Sequence, residues 1–423
     1  MIAALALLSG CISNMPNGMF APKAKVREQR AQSDARFGQG SDIIQSLQMR
    51  PSVIEPGTPY GEVARAVIAS DARVAEADLR VARLRADAAK RNWLPRIGPR
   101  VSLTSLGDFV ASLLIEQVIF DNGRKRAERD LAAANVEMAA VTLIDDGNKR
   151  VHDALSLYVQ AQENRELSER LARAIRDMSR FEWVMQKRVE GGVSDRSDLN
   201  ILSQKLAAMR ARKQAAEEGA GTALAELNIM AALDLGAVQG LGGLRPAGAA
   251  EPLDVIRARA ERARALAQSR IARAAHLPGL AATGTVDREG NTLGALEIRT
   301  DSLFSLGTGA ELKALRISRE SADRQVLEAR ELAARRIEVQ QNRLVAYQRQ
   351  LGEAARLTKQ AKANLDLFQA QYEGGQRQVM DVVGVYETWA QALETELALK
   401  YKAARAELEL ARLRGALAEG SQL

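Results

Sequence analysis

The chain is written twice, and this repeat restricts its architecture more than any other feature. Trp93-Leu94-Pro95 aligns with His276-Leu277-Pro278 at an offset of 183 residues, and Gly191-Gly192 aligns with Gly374-Gly375 at the same offset. Asp198-Leu199 and Asp381-Val382 are again 183 apart, while Ile119-Phe120-Asp121-Asn122-Gly123 and Leu303-Phe304-Ser305-Leu306-Gly307 are 184 apart. An offset that drifts by one and returns is what two copies of one unit with small loop changes produce. Each copy reads as a helix, a proline, two short strand-like stretches, a very long helix, a Gly-Gly break and a return helix. The copies are assigned to residues 59–240 and 241–423.

The long helices carry the strongest periodic signal. Leu344, Tyr347, Leu351, Ala354, Thr358, Ala361, Leu365, Phe368 and Tyr372 recur at spacings of three and four without a slip. Leu167, Leu171, Ala174, Met178, Phe181 and Met185 do the same in the first copy. Such a seam packs helices side by side as coiled coils. Residues 124–190 contain no proline and one glycine, Gly147. At ~1.5 Å per residue that stretch is roughly 100 Å long. Residues 310–373 match it. Paired glycines end each rod and allow the chain to turn. Rods of this length exceed a globular domain, so a long tube or stalk is expected.

At the other end of each rod lie the strand-like stretches, after Pro95 and Pro278, which stop the preceding helices. In the first copy they cover residues 100–105 and 110–119, and in the second 280–286 and 293–303. The last one alternates, with Leu296, Ile298 and Thr300 on one face and Glu297, Arg299 and Asp301 on the other. One apolar and one charged face suit a barrel wall between lipid and water, or a half-buried soluble hairpin. Four strands cannot close around a pore, because transmembrane barrels have at least about eight. Several chains must then share one barrel, and three would supply twelve strands.

Composition removes other classes. Aromatic residues make up only 4%, beside abundant Ala, Leu, Arg and Glu, which favours long helices. The sequence has one cysteine and two histidines, His152 and His276, so a disulfide framework and a His- or Cys-based metal or catalytic centre are not expected. No catalytic residue, metal ligand or cofactor site is assigned, and the chain is not read as an enzyme. The net charge of +7 is spread along helices with both signs mixed, the pattern of solvated helix faces rather than of a nucleic-acid site.

The single cysteine, Cys11, closes the sequence Leu8-Ser9-Gly10-Cys11 after a short apolar run. This resembles the lipobox of bacterial lipoproteins. Residues 1–10 are accordingly expected to be a signal peptide and Cys11 a palmitoylated N-terminus. Residues 11–58, with Pro16, Pro22, Pro51 and Pro56, read as a lipid-anchored leader with little core of its own. Ile12, where an aspartate would favour retention in the inner membrane, implies an outer-membrane address.

From about Pro59 to Gly415 the ordered repeat resembles the TolC family of outer-membrane efflux channels. It comprises a strand pair, Phe-x-x-Gly before a long helix, a Gly-Gly tip, and Asp-Leu or Asp-Val opening the return helix. The resemblance implies a mostly α fold with a small β part. A long coiled-coil helical tunnel would carry four strands per chain into a shared, trimeric, twelve-stranded β-barrel. It implies a passive outer-membrane conduit of a tripartite efflux or type I secretion system, without chemistry of its own. The implied partners are two further copies, a periplasmic adaptor (membrane fusion protein), an inner-membrane pump or ABC transporter, and outer-membrane lipid. By the same resemblance Tyr372 and Arg377 of the second copy would close the periplasmic end against Ser197 and Asp198 of the first. Asp381 would form a ring in the pore, with Gly384 where a second ring would stand. The tips Gly191-Gly192-Val193 and Gly374-Gly375 would meet the adaptor. A periplasmic coiled-coil adaptor or structural lipoprotein is the alternative reading. It shares the lipobox and heptads, but would need a lipoyl-like β domain and would not repeat the strand pairs.

Overall fold

A computed structural model describes residues 41–70, 74–103, 109–246, 248, 250–287, 289–300 and 307–420. Cys11, the signal peptide, the Gly107-Asp108 turn and Phe304 lie outside the described residues. The chain divides into two compact units, residues 1–46 and residues 47–423. In the first, the described residues open the short helix α1 (Asp42–Gln48).

The second unit holds the remaining elements, in an order that recurs. First come α2 (Pro59–Ala69), α3 (Val74–Lys90), β1 (Arg96–Leu103), β2 (Phe109–Phe120), α4 (Arg124–Glu190) and α5 (Arg196–Ala231). Then α6 (Leu253–Ala275), β3 (Gly279–Asp287), β4 (Thr292–Arg299), α7 (Thr308–Glu373) and α8 (Val379–Leu413) follow the same plan as α3 to α5. The expected bounds of α4 match the observed ones, and α7 starts two residues before its expected start. None of the described helices is long and apolar enough to cross a membrane.

The heptad seams are where α4 and α7 bury their surface. Leu171, Ala174, Met178 and Met185 are buried, as are Ala354, Thr358 and Leu365, and the other seam residues are half-buried. Fully burying one such Leu or Met contributes roughly 1.5–3 kcal/mol. Away from the tips, the core joins both copies around Tyr60, Val151, Tyr158, Leu227, Tyr401, Leu408 and Leu417. Tyr60 meets Tyr158 edge to face at 6.1 Å. Gly242 lies against Tyr60, where an added Cβ would sit 2.6 Å from the ring, so only glycine fits there.

The four strands form one antiparallel sheet in the order β1-β2-β3-β4. β1 starts at Arg96, four residues before its expected start, and includes Pro99, which pairs with Leu113. An edge strand tolerates proline because one of its sides has no partner to receive an N–H. Register sorts the side chains by face. Ile97 pairs with Ile115, Leu113 with Val286, Ala282 with Leu296 and Leu280 with Ile298, giving one apolar face. The other face is mixed: it carries Arg96, Arg100, Glu116, Thr283, Glu297 and Arg299 beside Leu114, Val118 and Leu293, and Arg299 bridges both Glu116 and Glu297. The apolar face is open: Ile298 is 80% exposed, and Ile97, Val101 and Leu296 are also exposed.

Residues 50–54, expected in a leader without a core, instead pack inside the 47–423 unit. Val53 and Ile54 are buried; Val53 N–H donates to Ala416 O, and Arg245 N–H donates to Val53 O. The apolar Val53-Ile54 pair lies between the chain's C-terminal turn and the linker joining the copies, which places the hydrophobic pair out of water despite the flanking prolines.

Candidate functional site

The two helix tips are built alike. α4 ends as Gly192 N–H donates to Val189 O at 3.0 Å and Val193 N–H to Arg188 O at 2.8 Å. α7 ends as Gly375 N–H donates to Tyr372 O at 3.0 Å and Gln376 N–H to Gln371 O at 2.8 Å. Both are Schellman motifs, and they need a left-handed residue in the same place. Gly192 (φ 73°) and Gly375 (φ 76°) supply it. An added Cβ would meet nothing at either position, so backbone conformation rather than space requires glycine. Val193 is 66% exposed just beyond the first turn.

The return helices start with matched caps. Asp195 and Gln378 are the N-cap residues, and Asp198 and Asp381 stand in the first turns. Asp381 closes a capping box: Gln378 N–H donates to its Oδ2 at 3.2 Å. This local bond holds the carboxylate in place at the exposed start of α8, where the helix dipole favours a negative charge.

The expected gate residues are placed at these tips, two on each. Tyr372 is half-buried against the tip core, Arg377 and Ser197 are exposed, and Asp198 is half-buried. Arg377 turns back onto its own tip. Its Nε donates to Gln371 Oε1 at 3.1 Å, and its guanidinium stacks 4.5 Å from the Phe368 ring. The first tip makes the equivalent bond with donor and acceptor exchanged, Arg188 Nε donating to Ser194 Oγ at 3.0 Å. Among the described residues, no hydrogen bond within the chain joins Tyr372 or Arg377 to Ser197 or Asp198.

Other residues join the copies. Behind the tips Met178, Met185, Leu202, Leu206, Leu365, Val382 and Val383 form a shared core around Tyr386. Tyr386 is fully buried and donates its hydroxyl to Asp177 Oδ2 at 2.8 Å. Burial, and then the Asp177 carboxylate, push its pKa far above that of a free tyrosine, so the bond is kept as a neutral donor to a charged acceptor. Lys205 pairs with Glu387 and Arg212 with Glu394, tying α5 to α8. Farther along, Lys400 and Tyr401 of α8 and Arg170 of α4 converge on Glu166 at 2.8, 2.9 and 2.6 Å. Burial raises the pKa of Glu166, but these three bonds outweigh it and hold the group down at about 2. Sequence reasoning missed these rungs. A signal was present, because Lys205 and Arg212 are seven apart, as are Glu387 and Glu394, which is the charge spacing of paired heptads.

No protein-family model and no curated protein sequence matches the chain. Solved structures do match it. The outer membrane protein VceC from Vibrio cholerae is 16% identical, with 92% of this chain and 98% of that chain covered at a TM-score of 0.69. The Campylobacter jejuni CmeC outer membrane channel is 14% identical, covers 86% of this chain and 87% of its own, and has a TM-score of 0.70. The Neisseria gonorrhoeae MtrE outer membrane channel, solved in its open state, is 15% identical, with 90% of each chain covered and a TM-score of 0.67. Identities this low carry the fold alone. The repeated hairpins, the two long helices with matched tips, and these superpositions together give the chain the fold of the TolC-like outer-membrane channels.

Proposed function

We propose that this protein is a passive outer-membrane channel, and that three copies form it. The observation that carries this reading is the four-stranded sheet, which has one exposed apolar face, one mixed face that bears the charges and, among the described residues, a single partner strand for each of β1 and β4. An open apolar sheet with two free edges is a hazard in water, and barrel closure with other copies in lipid removes both. Three copies supply twelve strands. The long helices would continue the barrel as a periplasmic tunnel. Repeated hairpins at equivalent positions are also what the adaptor alternative lacks.

In this reading the chain does no chemistry. Tips Gly191-Gly192-Val193 and Gly374-Gly375 meet a periplasmic adaptor, and an inner-membrane pump supplies the energy for efflux or type I secretion. Cys11 anchors the chain in the outer membrane. Metabolic labelling with palmitate should mark wild type and not Cys11→Ser; an unlabelled wild type removes the anchor. Three Asp381 carboxylates around a threefold axis give a cation-preferring constriction. The purified chain should run as a trimer in detergent, and in planar bilayers it should conduct ions and prefer cations. Asp381→Ala should lose most of that preference. A chain that is monomeric and non-conducting refutes the channel, and an unaltered preference in Asp381→Ala moves the constriction elsewhere.

A further inference from the structure

We propose that the collar where the sheet meets the helices binds the headgroups of anionic phospholipids, with phosphatidylglycerol as the representative. This inference rests on the membrane-spanning reading of the sheet. Three crossings between helix and strand converge here. Gln117 donates to Trp93 O at 2.9 Å, Asn122 donates to Pro278 O at 2.9 Å, and Asn92 donates to Lys125 O at 3.0 Å. These bonds hold the start of β1, the end of β2, the start of β3 and the start of α4 in one ring.

The ring is apolar on its surface. Trp93 and Phe120 are each 57% exposed, and Leu94, Ile119 and Leu277 are exposed beside them. Phe120 pairs with Leu280, and Leu280 with Ile298, so Phe120 stands on the apolar face of the sheet. Large exposed aromatics at the end of an apolar sheet face sit well at the headgroup level of a bilayer, where part of the ring is wet and part dry.

The same collar has a surplus of positive charge. Arg91, Arg126 and Arg273 are exposed, five or six residues from a strand end. Among the described residues none of the three forms a side-chain hydrogen bond or a close ion pair, and only Arg91 acts on a carboxylate, as a secondary charge near Asp87. Nearby carboxylates have other partners: Asp87 pairs with Lys90, Glu128 with Arg124 and Lys125, and Asp130 with Arg270, Glu311 lies 3.5 Å from the His276 ring, and Asp121 accepts the backbone N–H groups of Gly123 and Lys125. At the opposite end of the sheet the β3-β4 turn presents Asp287 and Glu289 instead. Arg288 stands between them in the sequence, so that turn is nearly balanced in charge, whereas the three exposed arginines lie on the helical side. Arginine lays its stem along apolar surface and offers a planar fork that matches a phosphate diester. Exposed aromatics with uncommitted arginines beside them fit an anionic lipid headgroup better than a zwitterionic one.

The test uses the full chain in phosphatidylcholine vesicles containing an equal fraction of brominated phosphatidylglycerol or brominated phosphatidylcholine. Trp93 emission is taken as the difference between wild type and Trp93→Phe. Brominated phosphatidylglycerol should quench it at least about twofold more strongly, as cations near an anionic bilayer enrich that lipid. The Arg91→Gln/Arg126→Gln/Arg273→Gln variant should lose the preference, and the corresponding triple Lys variant should keep it. All three positions are exposed, so circular dichroism should be unchanged. Equal quenching by the two lipids in wild type overturns the proposal, as does a preference that survives in the Gln variant or disappears in the Lys variant. Quenching by neither lipid has a different meaning: it overturns the membrane reading of the sheet, and the collar with it.

Discussion

Arg50→Ala is expected to destabilise the protein by about 2–4 kcal/mol, the cost of leaving buried carbonyls without their charged donor and of the cavity. Arg50 is 5% exposed. Its Nη1 donates to Arg414 O at 2.9 Å and Gly415 O at 3.1 Å, and its Nη2 donates to Glu251 O. One side chain thus joins the N-terminal segment, the linker between the copies, and the C-terminal turn. Removing it leaves three carbonyls without that donor and opens a cavity. Burial lowers the pKa of Arg50 and the charge of Glu251 opposes this, so part of the gross gain is already spent on desolvation. Arg50→Met retains much of the volume and removes the buried charge, and should cost less than alanine. The neighbouring turn depends on the same packing, because a Cβ on Gly415 (φ +64°) would lie 2.6 Å from Arg50 Nη1. Urea unfolding of the three proteins in one detergent measures the order. An alanine variant with an unchanged midpoint would show that water replaces the guanidinium without penalty.

Tyr372→Phe with Arg377→Ser is expected to raise single-channel conductance several-fold while folding stays intact. The proposal behind it is that Tyr372 and Arg377 hold the resting tunnel shut against Ser197 and Asp198. Each charge-assisted bond contributes about 1.5–3 kcal/mol if shielded, and less if wet. Threefold symmetry brings the total to several kcal/mol, an amount that adaptor contacts can reverse. In the chain itself Arg377 is occupied by Gln371 and Phe368. Those contacts must be released, or shared, for the gate bond to form. The buried Tyr386–Asp177 bond is the competing latch, since it already ties α8 to α4. Bilayer recordings of Tyr386→Phe beside the tip variant separate the two. A tip variant with wild-type conductance, beside a leaky Tyr386→Phe channel, would place closure at the inner rung and not at the tip.

The sequence by itself determined the architecture's plan. A 183-residue repeat, two uninterrupted rods and paired glycines are local or periodic signals, and helical periodicity, proline exclusion and left-handed glycine act over a few residues. That is why the seam positions and the bounds of α4 were legible. The tip and cap positions of the candidate site were legible for the same reason, since Gly192, Gly375 and Asp381 play roles set by their immediate neighbours. Tertiary structure alone decided which distant groups meet. Nothing near Arg50 in the chain announces the carbonyls of Glu251, Arg414 and Gly415, and nothing near Asp177 announces Tyr386. Residues 50–54 look like leader because their prolines dominate local composition, yet Val53 and Ile54 are buried by partners more than 180 residues away. Arg377 shows the same limit from the other side. Its position in the repeat was readable, but its guanidinium goes to whichever acceptor and ring the folded tip brings within reach. Contact energies of this kind depend on three-dimensional proximity, which no window of sequence contains.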